Sequence, residues 1–166
     1  MKKVLVTGGC GFIGSNLIEA LIEKSFDITC VDDMSGPRDD VGEFIKKHGE
    51  KVTFLPTCYA SDETIELVKG GAFDIVFHVA AIPRVAYSVE NPSLTTDTNV
   101  SKTVKLLEAC VSGNVKRFIF SSSSSVYGGA DVLPTPNDHK KDPKSPYAWQ
   151  KSCIEDLLVI FSSLYD

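Results

Sequence analysis

A glycine-rich segment near the amino terminus constrains the fold of this chain more than any other feature. Residues 7–14 read TGGCGFIG, directly after an apolar run at residues 4–6 and before an amphipathic stretch at residues 12–24. An apolar run, a glycine turn and a helix in this order predict the beginning of a βαβ unit. The spacing G-x-G-x-x-G within the turn is typical of a dinucleotide-binding site. Its members are Gly9, Gly11 and Gly14.

The rest of the chain repeats the alternation of short apolar runs with longer amphipathic stretches. Strands are predicted at residues 4–6, 27–31, 52–55, 73–77 and 117–120. Helices are predicted at residues 12–24, 41–47, 62–69, 95–111 and 147–164. Strands that alternate with helices indicate a parallel sheet, and largely apolar strands indicate that both its faces are covered. The sequence therefore predicts an α/β fold with a doubly wound parallel sheet (the Rossmann fold), as a single domain over residues 1–166.

The glycine turn has the features of a phosphate-binding site. An early glycine permits the tight turn, the next lets the backbone approach a pyrophosphate, and Gly14 lets helix and strand pack closely. Free amides at the start of the helix add a partial positive charge for the phosphates. The alternative is a glycine turn without a ligand, which the flanking strand and helix disfavour. The predicted cofactor-binding residues of this turn are Gly8, Gly11, Phe12, Ile13 and Gly14.

Two acids follow the second predicted strand. Asp32 stands at the strand end, where a carboxylate can bind the adenosine ribose hydroxyls and repel the extra phosphate of NADP. The cofactor is therefore predicted to be NAD. Asp33 is either a second ribose contact or a solvated loop acid. Arg38 lies well past the strand end, which disfavours a contact with a 2′-phosphate.

The sequence from Tyr147 to Lys151 has the form YxxxK. On a helix, positions four apart lie on one face, so the lysine ammonium is expected to stabilise the tyrosine phenolate. Ser145 and Pro146 read as the N-cap and the first helical residue, which places the phenol near the positive end of the helix dipole. An unperturbed phenol loses its proton at about pH 10, so a tyrosine that acts as a base near neutral pH needs its phenolate stabilised in this way. Taken alone the pattern is common by chance, with an aromatic core residue as the alternative.

Composition and charge exclude several classes of protein. The net charge is −5 without a basic stripe, which argues against nucleic acid as the partner. No apolar run approaches the length of a membrane span. The five cysteines are scattered and form no CxxC pair, which favours reduced thiols in the cytoplasm over disulfides and offers no metal-ligand spacing. The prediction is a cytoplasmic protein without a metal site.

Together these residues resemble the extended short-chain dehydrogenase/reductase family, in its NAD-dependent epimerase/dehydratase branch. The resemblance covers nearly the whole chain and rests on five motifs in the family's order. They are TGxxGxxG from Thr7, FHxAA from Phe77, Asn-Val from Asn99, SSSxxVYG from Ser121 and SPYxxxK from Ser145. The chain departs from the family after the third strand, where Cys58 and Tyr59 replace an Asp-Ile pair that contacts adenine.

The resemblance implies roles for individual residues. Ser123 is similar to the catalytic serine, with Ser124 as the alternative within the serine run, and both are expected to contact the substrate. Tyr147 is similar to the catalytic base and Lys151 to its partner on the nicotinamide ribose, and both are expected to contact the cofactor. Further cofactor contacts or site-organising residues implied in this way are Ala80, Ala81 and Asn99. His78 ends a buried-type strand and is expected to be packed rather than catalytic.

The serine run also bears on the reaction. Related dehydratases place an Asp-Glu pair after the catalytic hydroxyl for water elimination, and decarboxylating relatives favour a Glu there. This chain has Ser124 and Ser125 at those positions. Elimination needs a proton donor and acceptor at the neighbouring carbon, so the resemblance implies a UDP-hexose 4-epimerase type of reaction. The alternatives are a dehydratase, decarboxylase or reductase on a nucleotide sugar, and a non-catalytic NAD(H)-binding module.

The length of the chain is the largest departure from the family, whose members carry a C-terminal domain that binds the nucleotide part of the substrate. We expect that domain to be absent from residues 1–166, either because the chain is a fragment or because it is a short form. The chain alone is then expected to bind NAD with little or no epimerase turnover. The resemblance also implies a homodimer formed through the helices at residues 95–111 and 147–164. The alternative role of their apolar residues is core packing, and these residues include Val104, Leu107, Leu157 and Phe161.

Overall fold

The computed structural model describes residues 1–36, 39–129 and 132–165. Arg38 therefore lies outside the described residues. The chain divides into two compact units. The first, called the sheet unit, comprises Met1–Ala80 and Lys105–Ser121. The second, called the helical unit, comprises Ala81–Val104 and Ser122–Asp166.

The elements follow one another in the predicted alternating order. The strands are β1 Lys3–Thr7, β2 Asp27–Val31, β3 Val52–Leu55, β4 Ile75–His78 and β5 Arg117–Phe120. The α-helices are α1 Phe12–Glu23, α2 Val41–His48, α3 Asp62–Lys69, α4 Val85–Glu90, α5 Pro92–Thr96, α6 Lys102–Ser112 and α7 Pro146–Leu164. A π-helical turn spans Asp97–Ser101, and a 3₁₀ turn spans Ser124–Tyr127.

The sheet is wholly parallel, with the strand order β3-β2-β1-β4-β5, and this confirms the predicted doubly wound fold. Thr7 at the end of β1 is in register with Val31 of β2 on one side and with His78 of β4 on the other. The chain order reverses at β1, because β2 and β3 lie on one side and β4 and β5 on the other. The carboxyl ends of strands at such a switch point are where open α/β sheets bind ligands.

Apolar side chains cover both faces of the sheet, as predicted. Successive residues of a strand point to opposite faces, so Leu5 packs on one face and its neighbours Val4 and Val6 on the other. The Leu5 face buries side chains of α3 and α6, including Ile65 and Leu106. The opposite face buries side chains of α1 and α2, namely Ile18, Leu21 and Phe44. Burial on both faces holds the strand ends in a fixed arrangement.

The predicted long helix at residues 95–111 is wrong in one respect, because the segment is interrupted. α5 ends at Thr96, a π-helical turn follows, and α6 begins only at Lys102. In this turn the Lys102 N–H donates to the carbonyl of Asp97, five residues earlier. A π turn inserts one residue into the helical repeat and rotates the following side chains, which periodicity alone does not reveal.

Two other elements differ from the sequence prediction. The helix α4 was not predicted, and it is a short segment with exposed apolar positions. The strand β4 begins at Ile75 rather than at residue 73, and the Asp74 carboxylate just before it accepts a hydrogen bond from the backbone N–H of Lys3 at 2.8 Å.

Helix α7 begins as its sequence predicts. Ser145 is the N-cap, its hydroxyl accepts a hydrogen bond from the Ala148 N–H at 3.1 Å, and Pro146 occupies the first turn. The helix continues to Leu164. Among the residues that the structure describes, no helix is both long enough and apolar enough to cross a membrane.

Candidate active site

The glycine turn between β1 and α1 depends on the absence of side chains at two positions. Gly8 has φ of 70°, and a Cβ there would lie 2.7 Å from the backbone of Ala80. A Cβ on Gly14 would overlap the carbonyl oxygen of Gly8 and lie 2.6 Å from the Cα of Gly9. Both neighbours are backbone, so no side-chain movement can relieve the overlap. The turn is thus a cradle that a Cβ would fill.

Gly11 and the residues after it shape the open side of this turn. A Cβ on Gly11 would meet only the carbonyl of Gly8, at 3.4 Å, which is ordinary contact. The side chains of Phe12 and Ile13 are 82% and 61% exposed. Both side chains are mostly exposed, and the backbone amides of the helix start are groups that could bind a phosphate.

Asp32 braces the turn from the end of β2. Its Oδ2 accepts a hydrogen bond from the backbone N–H of Cys10 at 3.0 Å, and its Oδ1 accepts one from Met34 N–H at 2.8 Å. A carboxylate has about four lone-pair sites, so both oxygens can still accept hydrogen bonds from hydroxyl groups. Asp33 is exposed, and its carboxylate accepts a bond from the Ser35 N–H.

The end of β4 is joined to the end of β1 by a short chain of hydrogen bonds. Thr7 Oγ1 accepts from the Ala80 N–H at 3.2 Å and lies 2.7 Å from His78 Nδ1. His78 is 1% exposed and packs against Tyr59 and Phe120, which confirms that it is a packed strand-end histidine. Tyr59 is itself buried in the core, so its ring is not available to contact adenine.

The helical unit brings Ser123 and Tyr147 together. The Ser123 hydroxyl accepts two hydrogen bonds, from the N–H of Ser125 at 3.2 Å and from its hydroxyl at 2.8 Å. Its own proton is therefore available for the nearby Tyr147 phenol, whose pKa an interaction with Ser123 lowers. Ser124 begins the 3₁₀ turn and is exposed. The geometry thus places Ser123 rather than Ser124 at the phenol.

Burial dominates the acid–base properties of the tyrosine and the lysine. Burial raises the pKa of Tyr147 above its ordinary value, and the hydrogen bond with Ser123 partly offsets this. Lys151 lies one helical turn further along, with Nζ 6.0 Å from the centre of the Tyr147 ring. Burial lowers the pKa of Lys151 to about 8. Burial thus raises the pKa of the phenol on balance, and the stabilisation of the phenolate by the lysine and the helix dipole stays a prediction.

The buried lysine leads to a prediction on pH and stability. Its pKa of about 8 in the folded chain is below its ordinary 10.5, so the unfolded chain binds more protons between these values and stability rises with pH. From pH 7 to 9.5 this one group should raise the free energy of unfolding by about 2 kcal/mol. Urea unfolding should show that Lys151→Met removes this rise, whereas Lys46→Met, at an exposed position of α2, keeps it. If the free energy of unfolding of the Lys151→Met protein rises with pH as much as that of the wild type, Lys151 does not have the lowered pKa described here.

Sequence reasoning missed the polar network behind this helix. Gln150 is fully buried, and its side chain is hydrogen-bonded to Asn99 and to two threonines of α5. Ser88 of α4 accepts a hydrogen bond from the Tyr147 N–H at 3.1 Å. A polar residue directly before the lysine of a YxxxK pattern is a weak signal, and nothing in the local sequence identifies its partners.

The structure assigns the remaining predicted residues to one unit or the other. Ala80 is the last residue of the first segment of the sheet unit and lies beside Gly8. Ala81 is the first residue of the helical unit. Asn99 lies in the π-helical turn and is buried. Within the described residues, no group of three or more His, Cys, Asp or Glu side chains could hold a metal ion.

A glycine cradle at the switch point of a parallel sheet, with a carboxylate at the end of the neighbouring strand, defines a dinucleotide-binding α/β protein. Residues 4–166 match the model of the NAD dependent epimerase/dehydratase family. The chain therefore belongs to that family.

Similar proteins agree with this assignment. The chain is 33% identical to a UDP-glucose 4-epimerase of Mycolicibacterium smegmatis over 165 residues, covering 99% of this chain and 52% of that protein. It is 34% identical over 161 residues to the UDP-glucose 4-epimerase uge1 of Schizosaccharomyces pombe, covering 93% of this chain and 45% of that protein. The chain thus spans about half the length of the curated relatives it matches.

Solved structures show the same fold. A UDP-N-acetylglucosamine 4-epimerase from Methanobrevibacter ruminantium, in complex with UDP-N-acetylmuramic acid, superposes with a TM-score of 0.89 at 35% identity, covering 99% of this chain and 51% of that one. A UDP-glucose 4-epimerase from Stenotrophomonas maltophila, with bound NAD and formylated UDP-arabinopyranose, superposes with a TM-score of 0.89 at 30% identity, covering 98% and 49%.

Proposed function

We propose that the full-length protein containing this chain is an NAD-dependent nucleotide-sugar epimerase that inverts C4 of a UDP-hexose. The observation that carries the proposal is the grouping of Ser123, whose interaction lowers the pKa of the Tyr147 phenol, with Lys151, whose Nζ lies 6.0 Å from the centre of the Tyr147 ring. A hydroxyl and a phenol beside an ammonium form an arrangement suited to moving the proton of a sugar hydroxyl. The named epimerases among the similar proteins support the substrate class.

The residues of the sheet unit fit the cofactor. The glycine cradle and the free amides at the start of α1 would hold a pyrophosphate, because Cβ atoms are missing where the backbone must approach it. Asp32 would accept hydrogen bonds from the adenosine ribose hydroxyls with lone pairs that its own backbone contacts leave available. A carboxylate at this point disfavours the 2′-phosphate of NADP, so NAD is the proposed cofactor. When bound, NAD accepts a hydride from the sugar and returns it.

The residues of the helical unit would handle the proton. Tyr147 would accept the proton of the sugar 4-hydroxyl and return it after the 4-keto sugar has turned over. Ser123 would donate a hydrogen bond to the same oxygen and relay the proton, since its two accepted bonds leave its own hydrogen free to move. The Lys151 ammonium would favour the phenolate by charge and bind the nicotinamide ribose. Fixed positions for these groups supply orientation, a large part of such a rate enhancement.

The 3₁₀ turn after Ser123 favours epimerisation over elimination. Ser124 and Ser125 carry hydroxyls there, and the Ser125 hydroxyl is already bonded to Ser123. Removing water from the sugar requires an acid and a base at the neighbouring carbon, and hydroxyls with ordinary pKa values do neither well near neutral pH. The turn can thus support oxidation at C4 without a following elimination.

Two further proposals concern assembly and location. We propose a homodimer, supported by apolar side chains near the end of α7 that stay exposed within the described chain, among them Val159, Ile160 and Leu164. Leu107, an apolar residue of α6 that could have served such a contact, is instead core.

A cytoplasmic location is proposed from the five cysteines, all of which are free in the structure.

Product analysis with the full-length protein tests the proposed function. The protein should interconvert UDP-glucose and UDP-galactose with NAD present in catalytic amounts and with no net change in NADH. UDP-N-acetylglucosamine and dTDP- or GDP-sugars serve as parallel substrates that define the nucleotide and the sugar. Consumption of reduced cofactor in proportion to product, or release of a 4-keto-6-deoxy sugar, would replace the proposal with a reductase or a dehydratase.

A further inference from the structure

We propose that Gln150 is a positioning residue that fixes the helix carrying Tyr147 and Lys151 to the backbone of Ile82 through the side chain of Asn99. The inference rests on the proposed function, since it concerns the alignment of the proton-transfer group. It assigns a task to a buried side chain that neither the sequence motifs nor the mechanism uses.

Gln150 has its full complement of hydrogen bonds. It is 0% exposed, and its Nε2 donates to Thr95 Oγ1 at 3.0 Å and to Thr96 Oγ1 at 3.0 Å. Its Oε1 accepts a hydrogen bond from Asn99 Nδ2 at 2.8 Å. The Thr95 hydroxyl donates to backbone carbonyls within α5, so it is free to accept from the amide. Both amide protons of Gln150 are therefore used.

Asn99 carries the connection from Gln150 to the loop after β4. Its Oδ1 accepts a hydrogen bond from the Ile82 N–H at 2.8 Å, and its Nδ2 donates to the Ile82 carbonyl at 3.1 Å. The second Nδ2 proton is the one that Gln150 accepts. One side chain thus holds both backbone polar groups of Ile82, and no proton of the Asn99 amide is left over.

The direction of this chain of bonds is fixed at one end. The Ile82 N–H can only donate, so Asn99 must present its oxygen there and its nitrogen to Gln150. Gln150 must in turn present its oxygen to Asn99 and its nitrogen to the threonines. Reversing either amide would set two donors against each other. A fully satisfied buried network of this kind specifies one arrangement, and the loss of one member leaves the others unpaired.

The network affects function because two of its members, Gln150 and Ile82, are adjacent in sequence to proposed site residues. Gln150 directly precedes Lys151, and Ile82 directly follows Ala81, a proposed cofactor neighbour. Gln150 therefore ties the backbone that bears the ammonium to the backbone proposed to border the cofactor. The Ser88–Tyr147 bond anchors the start of the same helix separately. Misplacement of a catalytic group by about 1 Å can reduce turnover about 100-fold.

The test uses Gln150→Met in the full-length protein, since methionine keeps the length of the side chain without its hydrogen bonds. We expect kcat to fall about 10- to 100-fold, while KM for the sugar nucleotide and Kd for NAD stay within about threefold. Gln150→Glu keeps the acceptor for Asn99 and should lose less than Gln150→Met. The double variant Gln150→Met/Asn99→Ala should lose little more than its worse single variant, because both act through one chain of bonds.

Ile154→Ala is the matched control for a merely structural effect. Ile154 lies on the same helix and is equally buried, but it contributes only packing. If Ile154→Ala lowers the melting temperature as much as Gln150→Met does but leaves kcat near the wild-type value, the positioning role of Gln150 is supported. The inference is overturned if Gln150→Met leaves kcat unchanged, or if Ile154→Ala lowers kcat equally. Absence of epimerase turnover in the wild-type protein would instead overturn the proposed function.

Discussion

Replacing Tyr147 with phenylalanine should lower kcat by about 10³-fold, within the range that general acid–base groups contribute. The phenol is the group proposed to remove and return the proton of the sugar hydroxyl, and phenylalanine leaves the helix and its packing in place. The glycine turn proposed to hold the pyrophosphate does not include Tyr147, so the Kd for NAD should change by less than about threefold. Initial rates of UDP-galactose conversion and titration with NAD measure the two quantities.

Tyr165→Phe is the matched control for this substitution. Tyr165 follows the end of the same helix and is 48% exposed, so removing its hydroxyl should leave kcat unchanged. If Tyr147→Phe retains more than about one tenth of the wild-type kcat, the phenol is not the proton-transfer group and the proposed chemistry must be abandoned.

Gly14→Ala should have the second large effect, on binding and stability together. A Cβ there overlaps the Gly8 carbonyl and lies 2.6 Å from the Gly9 Cα, so the turn must open for the side chain to fit. Backbone overlap of this kind should lower the free energy of unfolding by about 3 kcal/mol. Because the same turn forms the proposed pyrophosphate cradle, the Kd for NAD should rise at least about tenfold. Urea unfolding and calorimetric titration measure the two effects.

Gly42→Ala is the matched control for Gly14→Ala, because it adds the same methyl group outside the glycine turn. Gly42 lies in the exposed part of α2, and a Cβ there would have nothing within 4 Å. Since alanine is the better helix former, this change should stabilise the protein by about 0.5–1 kcal/mol and leave NAD binding unaltered. A Gly14→Ala protein as stable as wild type, with the wild-type Kd for NAD, would show that the turn is not the cradle described.

The sequence predicted the sheet unit closely because its elements are specified locally. β2, β3, α3 and β5 have the bounds that periodicity predicts, and the parallel order follows from the alternation of strands and helices. The glycine turn and Asp32 could be found because each sits at a strand end, and strand ends meet at one edge of a parallel sheet. For these elements local patterns and tertiary structure agree.

The helical unit was predicted less well because its structure depends on contacts distant in sequence. The π turn at Asp97–Ser101 accompanies the burial of Asn99, whose partners Ile82 and Gln150 are 17 and 51 residues away. A run of five serines likewise has no periodicity that singles out Ser123, and its interaction with the Tyr147 phenol is what distinguishes it. The direction of the phenol pKa required the degree of burial, which a sequence pattern does not give.

The central claim is that C4 of the sugar loses and regains its own hydrogen as a hydride. Full-length protein incubated with UDP-galactose deuterated at C4, in ordinary water, tests this most directly by mass spectrometry or NMR of the UDP-glucose formed. The account predicts that the product retains deuterium at C4 and that no NADH accumulates, since the hydride returns to the carbon it left. Product with solvent hydrogen at C4 would contradict the account.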